Sequence, residues 1–107
     1  MCIFCQIIRK EIPAAPLYED EETLIIPDLN PQAPLHWLIM PKAHVENLTQ
    51  AAPEQVAACV RAMQKLVKEK NITDYRLIVN SGAEAGQTVP HLHFHLLSGR
   101  GLGWPPG

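Results

Sequence analysis

The chain has 107 residues, with nine basic and eleven acidic side chains and a formal net charge of −2. This length predicts a single domain over residues 1–107. The small negative charge argues against a nucleic acid or an anionic membrane as partner, because both require a basic surface. No apolar run approaches the ~20 residues that span a bilayer, and the first residues lack the features of a secretory signal, so we expect a cytoplasmic protein.

The spacing of apolar, proline and glycine residues predicts two helices. The first is short, covers residues 3–11 and must stop before Pro13. The second is long and runs from near Pro53, a residue suited to a first helical turn, to near Asn71. Its apolar stripe consists of Val56, Val60, Met63 and Val67, which recur at helical intervals.

Short apolar runs between turn residues predict five strands, at residues 17–19, 24–26, 36–40, 75–80 and 91–97. The first two strands are joined by an acidic turn at residues 19–22, which is too short for a parallel crossover. A long helix with strands on both sides of it in sequence indicates an α+β fold with a mostly antiparallel sheet.

The three cysteines are an odd number, so they cannot form a closed set of disulfides. Cys59 lies within the long helical pattern and is expected to be a small buried core residue. Cys2 and Cys5 form a C-x-x-C pair. A redox pair of this kind needs a strand ahead of it, so metal binding is the better interpretation.

The most informative segment is residues 91–97, where histidine alternates with apolar residues. On a strand, Leu92, Phe94 and Leu96 would face the core, and the three histidines would project from the other face about 7 Å apart. Such a row suits either a metal site or phosphoryl and nucleotidyl transfer, in which a neutral imidazole attacks phosphorus. The loop at residues 80–88, with its glycines and polar groups, favours phosphate.

Residues 91–97 match the signature His-φ-His-φ-His-φ-φ, where φ is apolar, and further matches extend along most of the chain. They are residues 7–14, 18–20, 31–34, 41–42, 75–76, 86–87 and 104–107, with Asp28, His36 and His44. On these residues the sequence resembles the histidine triad (HIT) superfamily, and within it the Hint branch. The resemblance implies a homodimer that shares one ten-stranded sheet, each subunit contributing five strands, a long helix and a short amino-terminal helix, with the Trp104 tail near the partner's site.

The resemblance also implies an activity, that of a purine nucleoside phosphoramidase. Such an enzyme cleaves the P–N bond of adenosine or guanosine 5′-phosphoramidates and releases a nucleoside monophosphate and an amine. His93 would be the nucleophile that carries a nucleotidyl intermediate, and His95 would contact the phosphate. His91 and His36 would orient the nucleophile, and no cofactor is required for catalysis.

The same resemblance implies a nucleotide site. Asp28 would bind the ribose hydroxyls, and Ile3, Phe4 and Leu29 would line the base pocket. The phosphate would be held by Asn80, Gly86, Gln87 and Thr88, together with His93 and His95.

Some members of the superfamily bind zinc through residues that correspond here to Cys2, Cys5, His44 and His91. Two thiolates and two imidazoles would make a closed tetrahedral site, which is structural rather than catalytic. With His91 held by zinc, the chemistry would fall to His93 and His95.

Three alternatives remain open at this point. Thr88 stands where Hint members usually carry serine and is frequent in the dinucleoside polyphosphate hydrolases of the same superfamily. The three histidines of residues 91–97 could instead ligate an open catalytic zinc. The protein could also be a nucleotide-binding scaffold whose hydrolase activity is vestigial.

Overall fold

The computed structural model describes residues 2–107. Within these residues, two helices and five strands follow one another, with a single 3₁₀ turn at Ala83–Ala85 before the last strand. Their bounds are α1 Ile3–Ile8, β1 Tyr18–Glu19, β2 Thr23–Pro27, β3 Leu35–Pro41, α2 Pro53–Glu69, β4 Arg76–Val79 and β5 Phe94–Ser98.

The five strands form one sheet in the order β1-β2-β3-β5-β4, and all four pairings are antiparallel. The predicted α+β fold with a five-stranded antiparallel sheet is therefore confirmed. The acidic turn between β1 and β2 is closed by Asp20, whose Oδ1 accepts the backbone N–H groups of Glu22 and Thr23. A short aspartate can serve two turn amides in this way, which explains why the chain reverses here.

Each face of the sheet packs against one helix, because alternate residues of a strand point to opposite faces. On one face Ile25, Trp37, Ile39, Phe94 and Leu96 pack against α2. On the other face Leu24, Ile26, Leu38 and Met40 pack against Phe4 of α1. His36 is two residues from Leu38 along β3, and His95 lies opposite Leu38 on β5, so both histidines lie on the α1 face of the sheet.

The prediction of the last strand needs a correction. The strand begins at Phe94 rather than at residue 91, because the N–H of Leu92 donates to the Val45 carbonyl and leaves the ladder. The alternation holds, since Leu92, Phe94 and Leu96 are all buried. The histidines, however, do not form an open polar face: His91 is fully buried and His93 is 6% exposed.

The helices also differ in detail from the prediction. α1 ends at Ile8, because Lys10 has a φ of 64°, a left-handed conformation that stops the helix. In α2 Met63 and Val67 are buried as expected, whereas Val56 and Val60 are only half-buried. The side chains that face the sheet are Ala58, Cys59, Ala62, Met63, Leu66 and Val67.

Cys59 is 1% exposed, so its predicted place in the core is confirmed. Burial raises the pKa of its thiol to about 12, which leaves it uncharged. Within residues 2–107, no helix combines the length and the apolar character needed to cross a membrane.

Candidate active site and metal cluster

The position of the proton on His93 is set by a main-chain group. Its Nδ1 lies 2.8 Å from the carbonyl oxygen of His91, and a carbonyl can only accept a hydrogen bond. Nδ1 of neutral His93 therefore carries the hydrogen, and Nε2 keeps a free lone pair. The ring is held in place by Phe4, which meets it edge-on with 4.9 Å between centroids. A buried imidazole with a fixed lone pair is a group that can act as a nucleophile.

In His95 the hydrogen lies on the other ring nitrogen, Nε2, and His36 determines this. The backbone N–H of Gln32 donates to Nδ1 of His36 over 3.0 Å, so the hydrogen of neutral His36 must lie on Nε2. That Nε2 is 2.9 Å from Nδ1 of His95, which therefore accepts. The remaining hydrogen of His95 lies on Nε2, and this nitrogen is a donor.

Asp28 completes this group, since its Oδ2 is 3.3 Å from Nε2 of His36 and 4.0 Å from Nδ1 of His95. Its other oxygen accepts the N–H of Asn30 over 2.8 Å. Burial lowers the pKa of His95, and the neighbouring His93 and His36 lower it further, although Asp28 opposes them. His95 is thus kept neutral, which agrees with the single proton that its contacts allow.

His36 was expected to orient the nucleophile His93, and the structure places it against His95 instead. The rings of His93 and His95 are neighbours, with 5.0 Å between centroids. Any effect of His36 on His93 must therefore pass through His95.

An open cleft of ≈ 190 Å³ lies beside His36 and His95. Its other lining residues are Gln32, Ile78, Asn80 and Leu97. Asn80, expected at the phosphate, is thus next to the donor histidine. Of the residues expected around the base, Leu29 is 98% exposed and Ile3 is 46% exposed, whereas Phe4 is buried beneath the histidines.

The side chain of Gln87 holds the loop at residues 80–88 together. Its Oε1 accepts the N–H of Gly82, and its amide group donates to the carbonyls of Glu46 and Val89. These contacts occupy both of its donor hydrogens, so the side chain has none left for a phosphate oxygen. Gly86 has a φ of +99° and lies against the Asn80 side chain, and Thr88 is exposed.

The part of the chain that the structure describes contains two groups of convergent metal-ligating side chains. The first consists of Cys2, Cys5, His44 and His91, as expected from the sequence. Nδ1 of His91 is 3.4 Å from Sγ of Cys2, 3.6 Å from Sγ of Cys5 and 3.2 Å from Nδ1 of His44. In a tetrahedral zinc site, neighbouring ligand atoms are about 3.3–3.8 Å apart, from two nitrogens to two sulfurs.

The environment of His91 also suits a metal. Its Nε2–H donates to the Pro41 carbonyl over 2.8 Å, so the lone pair of Nδ1 points towards the other three ligand atoms. A hydrogen bond from the second ring nitrogen is the usual way in which a ligating histidine is oriented. Burial lowers the pKa of His91 and keeps the ring neutral, as a ligand must be. These four residues therefore fit a structural zinc ion.

The second group consists of Asp28, His36 and His95, and it does not fit a metal. To ligate through Nε2, His36 would have to carry its hydrogen on Nδ1. That nitrogen faces the N–H of Gln32 at 3.0 Å, and two donors cannot face each other at that distance. This group therefore holds a proton rather than a cation.

Comparisons with known proteins identify the family of this chain. The family model described as "HIT domain" matches residues 9–102. An uncharacterised HIT-like protein of Synechocystis is 49% identical over 109 residues, which cover 98% of this chain and 96% of the relative. The chain belongs to the HIT domain family.

Solved structures of HIT proteins have the same fold. The crystal structure of a HIT family hydrolase from Legionella pneumophila has a TM-score of 0.94 and 39% identity, and each chain is covered completely. A histidine triad nucleotide-binding protein from Candida albicans has a TM-score of 0.85 and 36% identity, over 98% of this chain and 83% of that one.

Three groups that bond a histidine of this HIT site, or bond a residue that does, were not identified as site groups from the sequence. Two belong to the main chain, namely the N–H of Gln32 and the carbonyl of Pro41. No side-chain pattern marks a main-chain group, so only the fold reveals them. The third is Arg100, which follows Gly99 directly after β5 and bonds to Gln32.

Proposed function

We propose that this HIT protein is a purine nucleoside phosphoramidase, which hydrolyses the P–N bond of adenosine or guanosine 5′-phosphoramidates. The observation that carries the proposal is the pairing of His93 with His95. One ring has a fixed lone pair on Nε2 and its neighbour has a fixed hydrogen on Nε2. A nucleophile beside a hydrogen-bond donor is what nucleotidyl transfer to histidine requires.

The reaction has two steps. In the first, Nε2 of His93 forms a bond to phosphorus, the P–N bond to the amine breaks, and the departing amine keeps that electron pair and takes a proton from water. In the second, water attacks phosphorus, the His93–phosphorus bond breaks, and the proton lost by the water balances the one taken up earlier. The products are an amine and a nucleoside monophosphate.

The donor on His95 supports both steps. Its Nε2–H would bond a phosphoryl oxygen, where negative charge builds up as the nucleophile approaches. In the partly buried surroundings of His95, such a bond is stronger than it would be in water. Asn80 lines the same cleft and would add an amide donor. Gly86 and Thr88 would hold the phosphate from the neighbouring loop, with Gln87 keeping that loop in shape.

The nucleoside would occupy the surface beside α1 and the loop that follows β2. Asp28 would bind the ribose hydroxyls through the lone pairs that Asn30 and His36 leave free. The exposed side chains of Ile3 and Leu29 would cover the base. The Candida relative is named a nucleotide-binding protein, which supports a nucleotide as ligand.

Two structural features are part of the proposal. Zinc would bind Cys2, Cys5, His44 and His91, where it would fasten α1 to the segment that leads into β5. The protein would form a homodimer through β4, which lies at an edge of the sheet and, in the part of the chain that the structure describes, pairs with β5 alone. Pairing of two such edges would make one ten-stranded sheet.

The test is mass spectrometry of the protein quenched during turnover of adenosine 5′-phosphoramidate. A nucleotidyl adduct on His93 is expected, and His93→Ala should show neither adduct nor hydrolysis. Hydrolysis that survives this substitution would refute the proposal. A diadenosine polyphosphate is assayed in parallel, because Thr88 is frequent in the dinucleoside polyphosphate hydrolases. Preferred hydrolysis of one substrate over the other separates the two hydrolase classes.

A further inference from the structure

Arg100 bonds the segment after β5 to the loop at residues 28–34, which we call the proline loop. Its Nε and Nη2 both donate to the carbonyl oxygen of Gln32, over 3.1 and 2.9 Å. Its Nη1 donates to the carbonyl of Gly101 over 2.9 Å, which holds the guanidinium in plane. A guanidinium that places two N–H groups on one oxygen fixes direction as well as distance.

A second contact brings the same two segments together. Gly99 has a φ of +98°, and a Cβ at this position would lie 2.9 Å from Cβ of Pro34. Only glycine allows so close an approach in this conformation. Gly99 and Arg100 therefore hold the proline loop at two points, Pro34 and Gln32.

The proline loop also determines which ring nitrogen of His95 carries the hydrogen. The N–H of Gln32 places the hydrogen of His36 on Nε2, and this in turn places the hydrogen of His95 on its own Nε2. The carbonyl that Arg100 bonds and the amide that bonds His36 belong to the same residue.

We propose that Arg100 is a positioning residue for His95, acting through Gln32 and His36. The inference rests on the proposed function in one respect, since the donor that Arg100 sets is the one that faces the phosphate. Without the guanidinium, the Gln32 amide would no longer be held against His36, and each of the two rings could carry its hydrogen on either nitrogen. In some of the molecules, Nε2 of His95 would then present a lone pair instead of a hydrogen, and this lone pair would repel the phosphate oxygen.

The test measures the ring nitrogens of His36, His93 and His95 by ¹⁵N NMR in the protein without nucleotide. In the wild type, His95 should show an unprotonated Nδ1 and a protonated Nε2. In Arg100→Ala both His36 and His95 should move towards a mixture of the two tautomers, while His93 stays unchanged. Arg100→Lys keeps the charge but lacks the planar pair of donors, and it should fall between the two.

Arg76→Ala is the matched control. Nη2 of Arg76 donates to the carbonyls of Leu102 and Gly103, so it tethers the same terminal segment without contacting the proline loop. This variant should keep the wild-type tautomers. Phosphoramidate hydrolysis by Arg100→Ala should lose about 10- to 100-fold in kcat with a much smaller change in KM.

Wild-type ring resonances in Arg100→Ala would overturn the inference, and so would an equal disturbance in Arg76→Ala. If Arg100→Ala does not fold, the tautomers of Arg100→Lys decide, because that substitution keeps the long side chain. If the wild type has no phosphoramidase activity, the proposed function fails, and the NMR result still decides whether Arg100 sets the tautomer of His95.

Discussion

The ring of Phe4 touches the ring of His93 edge-on and lies 5.8 Å from that of His91, so one residue of α1 covers two of the triad histidines. The same short helix contains Cys5 and is capped by Cys2, whose sulfur accepts the Cys5 N–H. Six residues alone make a marginal helix in water. Its place over the histidines therefore depends on tertiary contacts: Phe4, Ile7 and Ile8 pack on the sheet, and zinc would hold the two sulfurs.

Cys5→Ser should abolish stoichiometric zinc binding, because it removes one of four ligands that converge within 4.8 Å. The melting temperature should fall by about 10 °C or more, since zinc binding contributes directly to folding stability. The metal content of protein purified with zinc and then dialysed is measured by plasma mass spectrometry. Cys59→Ala is the control, because its sulfur lies in the core, and it should retain the metal. Full zinc content in Cys5→Ser would contradict the assignment.

Leu96→Ala should lower the free energy of unfolding by about 2–5 kcal/mol, because it leaves a cavity between β5 and α2. Leu97→Ala, one step along the strand and only half-buried, should cost about 1 kcal/mol. Urea unfolding of both variants measures the two values. Similar costs at the two positions would mean that the strand does not alternate between the two faces as described.

Asp20→Ala should destabilise the protein by about 1–2 kcal/mol, because two turn amides and the Tyr18 hydroxyl lose their acceptor. Asp20→Asn keeps one carbonyl oxygen for the amides and should recover more than half of that loss. Equilibrium unfolding at neutral pH checks the order of the three proteins. If Asp20→Ala and Asp20→Asn were equally stable, the turn would not depend on this acceptor.

The stability of the protein should fall as the pH drops below about 6.5, because burial lowers the pKa of His95. The unfolded chain then binds a proton that the folded state resists, so acid favours unfolding. His91 contributes in the same direction, for the same reason. His95→Gln should therefore lose less stability than the wild type between about pH 7.5 and 5.5.

Urea unfolding at these two pH values measures the difference, with a chelator present in every sample so that release of metal does not contribute. The quantity compared is the change with pH within each protein, which is independent of any constant effect of the substitution. Equal changes in the two proteins would rule out His95 as a source of the acid sensitivity.

The face to which each residue of β5 points could be read from the sequence, because side chains alternate strictly along a strand. Where the ladder begins could not. It depends on a hydrogen bond from Leu92 to Val45, which are 47 positions apart and share no local pattern. The burial of His91 and His93 was missed for a related reason, since their cover is Phe4 on a distant helix.

Which histidine lies beside His36 could not be predicted from the sequence either. It is set by the register of β3 and β5, in which His36 is opposite Leu97 and Leu38 is opposite His95. A two-residue shift of that register would keep every side chain on its face of the sheet and bring a different residue beside the ring, so alternation alone does not exclude it. The four residues expected to bind zinc, by contrast, were named from the family resemblance, and the fold brings all four together.

In three imidazoles of this protein a main-chain atom fixes which nitrogen of the neutral ring carries the hydrogen: the amide of Gln32 for His36, the carbonyl of Pro41 for His91 and the carbonyl of His91 for His93. A point mutation replaces a side chain and leaves the peptide group behind. Substitution of a side chain beside these rings therefore leaves the three bonding groups in the chain, and it changes a tautomer only where, as proposed for Arg100, that side chain positions one of the groups. The tautomers of these three rings therefore depend on the path of the backbone.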